Sequence, residues 1–216
     1  MKVKIYKLEL NDKQKHVVER ALLFYYSITE MADLLDIMYV FNWHDYNKKS
    51  ITPWRIRYND ARKLIREAEL ILFGSYNPLH TYDEIEQMTK PNYSSISLDK
   101  CKFLILVLDL YSRIGIGQFE EILHVDNIRK NIPNNERNKI ESLLKDVKFL
   151  LTGCPVNGSL GIYNPDVPQN AKMAHDIMQV IRHRISWDQN PKGGITVNFD
   201  EPLKCSELEL PKIMRL

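Results

Sequence analysis

Two stretches of this chain repeat one spacing of large apolar residues, and that repetition limits the folds open to it. Leu22–Met38 and Val107–Leu123 align so that Tyr26-Ser27 falls on Tyr111-Ser112, 85 positions later. Met31, Leu34, Ile37 and Met38 then fall on Ile116, Phe119, Ile122 and Leu123, a helical spacing. A second pair follows: Ala61–Gly74 resembles Ile140–Gly153, with Leu64, Ile65, Ala68 and Leu72 answering Leu143, Leu144, Val147 and Leu151. Each of these ends at a glycine suited to stop a helix, and each is followed by Tyr-Asn-Pro, at 76–78 and 163–165. Short alternating segments, Tyr6–Leu10 and Ser95–Leu98, precede the long helices; Asn11 or Asp12, and then Asp99, are suited to cap them.

The expected architecture is therefore an α-rich α+β fold of internally duplicated helical units with a few short strands. Residues 1–90 form a first, degenerate unit. Residues 91–216 form a second unit carrying an extra helix near Pro168–Trp187, a turn at 190–194, a strand at 195–199 and an extended tail over 200–216. The tail is expected to lie over the body or over a partner chain. Neither unit is large enough for its own core, so the two should pack as one body. Segment 39–60 reads as a loop, with Thr52-Pro53 opening the next helix.

Composition removes several function classes. The 216 residues are 44% apolar and 27% charged, with a net charge of +2, so neither long-range disorder nor charge-driven coating of nucleic acid is expected. The opening Met1–Leu10 alternates charged and apolar residues, reading as a strand rather than a signal peptide, and Phe103–Tyr111 is too short to cross a bilayer. A cytoplasmic protein without membrane contact is expected. Cys101, Cys154 and Cys205 are odd in number and lack CxxC spacing, which indicates neither a disulfide frame nor a zinc site.

Positions kept in both halves read as scaffold, and positions special to one half as candidates for function. Gly115 and Gly117 sit inside the second long helical pattern, where each costs roughly 0.5–1 kcal/mol relative to Ala. Either a second backbone packs there or a ligand approaches the main chain. Arg113, Gln118, Glu120 and Glu121 are the polar groups nearby. In the late helix, Met173, Ile177, Val180, Ile181 and Ile185 form the apolar stripe, while His175, Gln179 and Arg182 share one face and Gln179, His183 and Trp187 form a neighbouring row. Arg suits bidentate phosphate recognition, His adds a donor and Trp a stacking surface. The bland alternative is a basic helix end with a core Trp. The Tyr-Asn-Pro turns read first as structural.

Catalytic patterns are poor: the chain lacks HExxH, GxSxG and a Walker loop. No catalytic residue, metal ligand or cofactor is assigned; His44-Asp45 could bind a metal, but no second pair supports it. Basic and aromatic residues interleave over 48–63, a weak nucleic-acid signal diluted by Asp60 and Glu67.

The segment Leu108–Ile122, and the later run from Tyr163-Asn-Pro-Asp-Val-Pro through Asp176–His183 to Trp187-Asp188, resemble small accessory proteins of tailed bacteriophages over residues 96–211. The first half departs from this pattern at the Arg and both Gly positions. What the resemblance implies is action by binding: capture of a nucleotide-derived immune signal or blockade of a host protein. The expected function is binding of a small phosphorylated or nucleotide-like ligand. Arg113, Arg182 and His183 would meet phosphate; Gly115 and Gly117 would admit the ligand to the backbone. Tyr111 or Trp187 would stack, and Gln118, Asn164 and Gln179 would orient it, with Glu121 and His175 lining the site. The alternatives are an inhibitor of a host protein or structural subunit, expected to expose apolar residues over Leu203–Leu216; a nucleotide hydrolase using Glu120 or Glu121 with His175; and a DNA-binding regulator. A homo-oligomer is compatible with all of them.

Overall fold

The computed structural model describes residues 4–30, 33–34, 37–40, 51–73, 84, 87–133, 135–193 and 201–216. It is mostly helical, with one small antiparallel sheet, as an α-rich α+β chain should be. Strand β1 (Ile5–Glu9) lies at the centre of the sheet, with Tyr6 and Leu8 turned into the core. β2 (Ile96–Ser97) pairs on one side, Tyr6 opposite Ile96. β3 (Lys212–Arg215) pairs on the other, Leu8 opposite Ile213. β3 belongs to the segment expected to be an extended tail. The strand expected at 195–199 lies outside the described residues, as do the first Tyr-Asn-Pro, Gly74 and His44-Asp45.

Helix α1 (Asp12–Glu30) starts with reciprocal capping: Asn11 Oδ1 accepts the Gln14 N–H, and Gln14 Oε1 accepts the Asn11 N–H, both at 2.9 Å. It is followed by the short α2 (Ile37–Val40) and by α3 (Ile51–Phe73), which begins where Thr52-Pro53 predicts a start; residues 39–40 and 51–60 are therefore helical and not part of the loop expected over 39–60. Buried Glu69 of α3 reaches back to accept the Leu34 N–H at 2.7 Å, tying α3 to the segment after α1.

The rest of the chain adds a second strand and a further series of helices. Helix α4 (Leu98–Gly115) is capped by Ser97, whose Oγ accepts the Lys100 N–H; Asp99, the expected cap, sits in the first turn instead. After a 3-10 segment (Phe119–His124) and α5 (Asp126–Asn131) comes α6 (Arg137–Thr152), which packs along α3. α6 stops at Gly153 in the left-handed region, φ 69°, as its sequence predicts. Helix α7 (Gln169–Gln189) packs chiefly on α4. One apolar core draws Val17, Leu22 and Ile28 from α1, Ile65 and Ala68 from α3, Leu108 and Ile114 from α4, Val147 from α6, and Ile177 and Ile181 from α7.

The long second helix expected through residue 123 is two elements. The Gln118 N–H bonds to the Arg113 carbonyl and the Gly117 N–H to the Ile114 carbonyl, both at 2.9 Å, with Gly117 at φ 86°. This is a Schellman stop, which needs a residue tolerant of the left-handed region just beyond the last turn. Gly117 is thereby accounted for by helix termination rather than by a ligand.

The tail lies over the body. Gln14 Nε2 donates to the Glu209 carbonyl at 2.7 Å, and the Leu216 N–H to the Ile5 carbonyl at 2.9 Å.

Candidate functional site

Gly115 is filled from within the protein. A Cβ there would overlap the Cβ of Ala171 in the first turn of α7, so the glycine lets two helices approach closely. The end of α4 thus meets the start of α7, and the helices run antiparallel from that crossing. Along α7 the face bearing Ala171 continues through His175, Gln179 and Arg182; along α4 it runs back through Ser112 to Asp109. The side chains between these faces do not close the space completely.

A cavity of about 340 Å³ remains there, lined by Ser112, Arg113, Gln118, His175, Gln179 and Arg182, with Asp109 and Met178. Five residues nominated from sequence therefore converge: Arg113 from the last turn of α4, Gln118 from the turn just beyond it, and His175, Gln179 and Arg182 from α7. A second cavity of about 360 Å³, lined by Tyr25, Leu106, Asp109, Arg113, Glu121 and His124, shares Arg113 and Asp109 with the first. The Arg113 side chain stands between the two.

Arg113 is held firmly. Its Nε donates to Asp109 at 2.7 Å, and its Nη1 to Gln118 and Glu121 at 3.3 Å each. Burial works against its charge, but the hydrogen bonds and opposite charges of Asp109 and Glu121 outweigh burial and raise its pKa. The guanidinium is fixed, and the two carboxylates against it match its charge in full. Arg182 is exposed and has no ion-pair partner among the described residues. Gln118 also reaches Ser159 at 3.5 Å, and the Leu160 N–H donates to the Ile116 carbonyl at 2.8 Å, so loop 153–168 borders this end of the site. Buried Lys148 fastens the same loop by donating to the Val156 and Gly158 carbonyls at 2.6 and 2.7 Å.

The remaining nominated residues lie elsewhere. Tyr111 is buried in the core, edge-on to Phe24 at 6.0 Å between ring centres, and lines neither cavity. Trp187 donates from Nε1 to His183 Nε2 at 3.0 Å, so these two engage each other beyond the cavity. Asn164 closes its turn, its side-chain oxygen accepting the Asp166 N–H at 2.8 Å, which is the structural reading of Tyr-Asn-Pro. Glu121 lines the cavity that His175 does not.

Asp176 and Cys205, which local spacing does not single out, meet His175. His175 Nδ1 is 3.4 Å from Cys205 Sγ, and Asp176 accepts the backbone N–H groups of Cys205 at 2.7 Å and Ser206 at 2.9 Å. Burial would raise the Asp176 carboxyl, but hydrogen bonds from His175, Ser206 and Cys205 outweigh it and hold the carboxyl below its ordinary value. Only the adjacency of His175 and Asp176 was visible beforehand; Cys205 reaches them because the tail folds back.

Comparison with protein-family models, curated proteins and solved structures finds no match. No helix among the described residues is long and apolar enough to cross a membrane.

Proposed function

We propose that this chain binds a small phosphorylated or nucleotide-like ligand in the cavity between α4 and α7. The observation that carries this reading is the pairing of two guanidinium groups, Arg113 and Arg182, in one cavity with the amides of Gln118 and Gln179. Arg113 is fixed by its carboxylates and offers a preorganised donor. Arg182 brings a cation with no ion-pair partner among the described residues, and its open fork suits phosphate oxygens, to which Arg113 can add its remaining N–H groups. The volume lies at the small end of ligand pockets, roughly 300–1,000 Å³, which favours a compact ligand over a polynucleotide. The phage resemblance gives such binding a purpose, the sequestration of a host antiviral signal. Hydrolysis by Glu121 with His175 is disfavoured, since the two line different cavities.

Thermal melting against cyclic nucleotides, ADP-ribose-type nucleotides and inorganic phosphate tests this. A stabilising ligand should lose about tenfold or more in affinity in Arg182→Ala, the worth of one charge-assisted contact. Absence of a shift with every compound, together with no small molecule released on denaturation, would refute it.

A second reading, docking to a host protein, is favoured by the tail. Leu203, Met214 and Leu216 are all exposed, and β3 is an edge strand. Co-purification lost in Met214→Lys would favour it.

A further inference from the structure

His175, Asp176 and Cys205 place one imidazole nitrogen, one carboxylate oxygen and one sulfur within 4.8 Å of one another. The geometry points to a binding site for a soft divalent cation of the zinc class, held by His175 Nδ1, Asp176 Oδ1 and Cys205 Sγ. This site adjoins the proposed ligand cavity, sharing His175 and its partner Gln179 with the cavity lining, but it uses neither Arg113 nor Arg182.

The donor set selects the metal. Thiolate and imidazole together favour zinc-like ions over magnesium or calcium, which take oxygen ligands. The spacing fits as well. A tetrahedral ion with bonds of about 2.3 Å to sulfur and about 2.0 Å to nitrogen sets those atoms roughly 3.5 Å apart. The observed Sγ to Nδ1 distance is 3.4 Å. Asp176 Oδ1 lies 3.8 Å from Nδ1, so it needs to close by only about half an ångström.

The surroundings match what a ligating histidine requires. The Gln179 amide sits 3.2 Å from His175 Nε2, on the far side of the ring. With its oxygen turned to that nitrogen, it accepts the Nε2–H and leaves the Nδ1 lone pair facing the sulfur. Asp176 is buried and anchored by two backbone N–H groups, Cys205 N–H on Oδ1 and Ser206 N–H on Oδ2; a carboxylate oxygen carries two lone pairs, so Oδ1 can accept the Cys205 N–H and still face a cation. Binding would release the thiol proton to solvent and form the metal–sulfur bond in its place. Three protein donors leave a coordination position for water. Since Cys205 lies on the tail and the other two donors on α7, the ion would also fasten the tail to the helix.

The test uses the full chain freed of metal with a chelator and titrated with Co²⁺. One equivalent should bind and produce thiolate-to-cobalt charge-transfer absorption, and Zn²⁺ should then bleach it. Cys205→Ser should remove that absorption and weaken binding tenfold or more. His175→Ala should weaken it comparably, while Cys154→Ser and Arg182→Ala should bind as the parent does. Melting curves establish that each variant is folded, and half-buried Cys205 is the substitution best tolerated. The inference is overturned if no charge-transfer band appears at one equivalent, if folded Cys205→Ser keeps the parent affinity, or if Mg²⁺ competes as well as Zn²⁺. Rapid alkylation of Cys205 at equal rates with and without Zn²⁺ would likewise reject it, and would mark the pair as a thiol–imidazole couple instead.

Discussion

Ala171 on α7 directs its methyl group into the space that a side chain at Gly115 on α4 would fill. This one contact sets how closely the two helices approach, and thereby how far Arg113 stands from His175, Gln179 and Arg182.

Gly115→Ala should destabilise the protein by about 1–2 kcal/mol in chemical denaturation. The overlap with Ala171 costs roughly 1–3 kcal/mol, and the better helix propensity of Ala returns part of it. Gly117 responds to different chemistry: its φ is positive but its surroundings are open enough for a methyl group. Gly117→Asn should therefore cost only a few tenths of a kcal/mol, because Asn tolerates that backbone region. Gly115→Asn should be at least as harmful as Gly115→Ala. Equal losses at the two positions would contradict this division.

Lys148→Met should cost about 1–3 kcal/mol. The aliphatic stem would be replaced in kind, but the Val156 and Gly158 carbonyls would lose their shared donor. Hydrogen exchange should quicken over loop 153–161 before it changes in the core.

Glu69 makes stability fall as pH rises. Burial lifts its pKa above the ordinary 4.5, although Arg66 and the Leu34 N–H pull against that shift. The folded state thus holds the proton to higher pH than the unfolded chain does. Stability from this group is complete below pH 4.5 and declines from there up to the folded-state pKa. Glu69→Gln should flatten that decline in unfolding titrations; parallel curves for parent and variant would count against it.

The thiols should react in a set order. In the metal-free folded protein, Cys205 should be labelled first, because it alone of the three is not buried. Its rate should still trail that of a free cysteine, since burial and the Asp176 carboxylate raise its pKa. Cys101, pushed up to about 11 by burial, should label only on unfolding, and buried Cys154 should follow it rather than Cys205. Mass spectrometry of a timed alkylation reads the order directly.

Much of this was legible in the sequence where the signal is periodic. The His175, Gln179 and Arg182 row follows from the helical repeat alone, and Gly153 marks the end of α6. Arg113 emerged from contrast between the halves. The stop after Gly115 did not, because Ile116, Phe119, Ile122 and Leu123 keep helical spacing after the helix has ended; the left-handed turn at Gly117 overrides the pattern. Tyr111 has the composition of a stacking platform, and only burial against Phe24 assigns it to the core. β3 and Cys205 depend on the tail returning to elements far away in the chain, which local spacing does not encode.

The pairing of β1 with β3 joins residues more than 200 positions apart and brings Leu216 beside Ile5. The polypeptide is in effect a ring closed by backbone hydrogen bonds. A cut in the surface stretch between α6 and α7 would leave two fragments that remain clasped through the sheet.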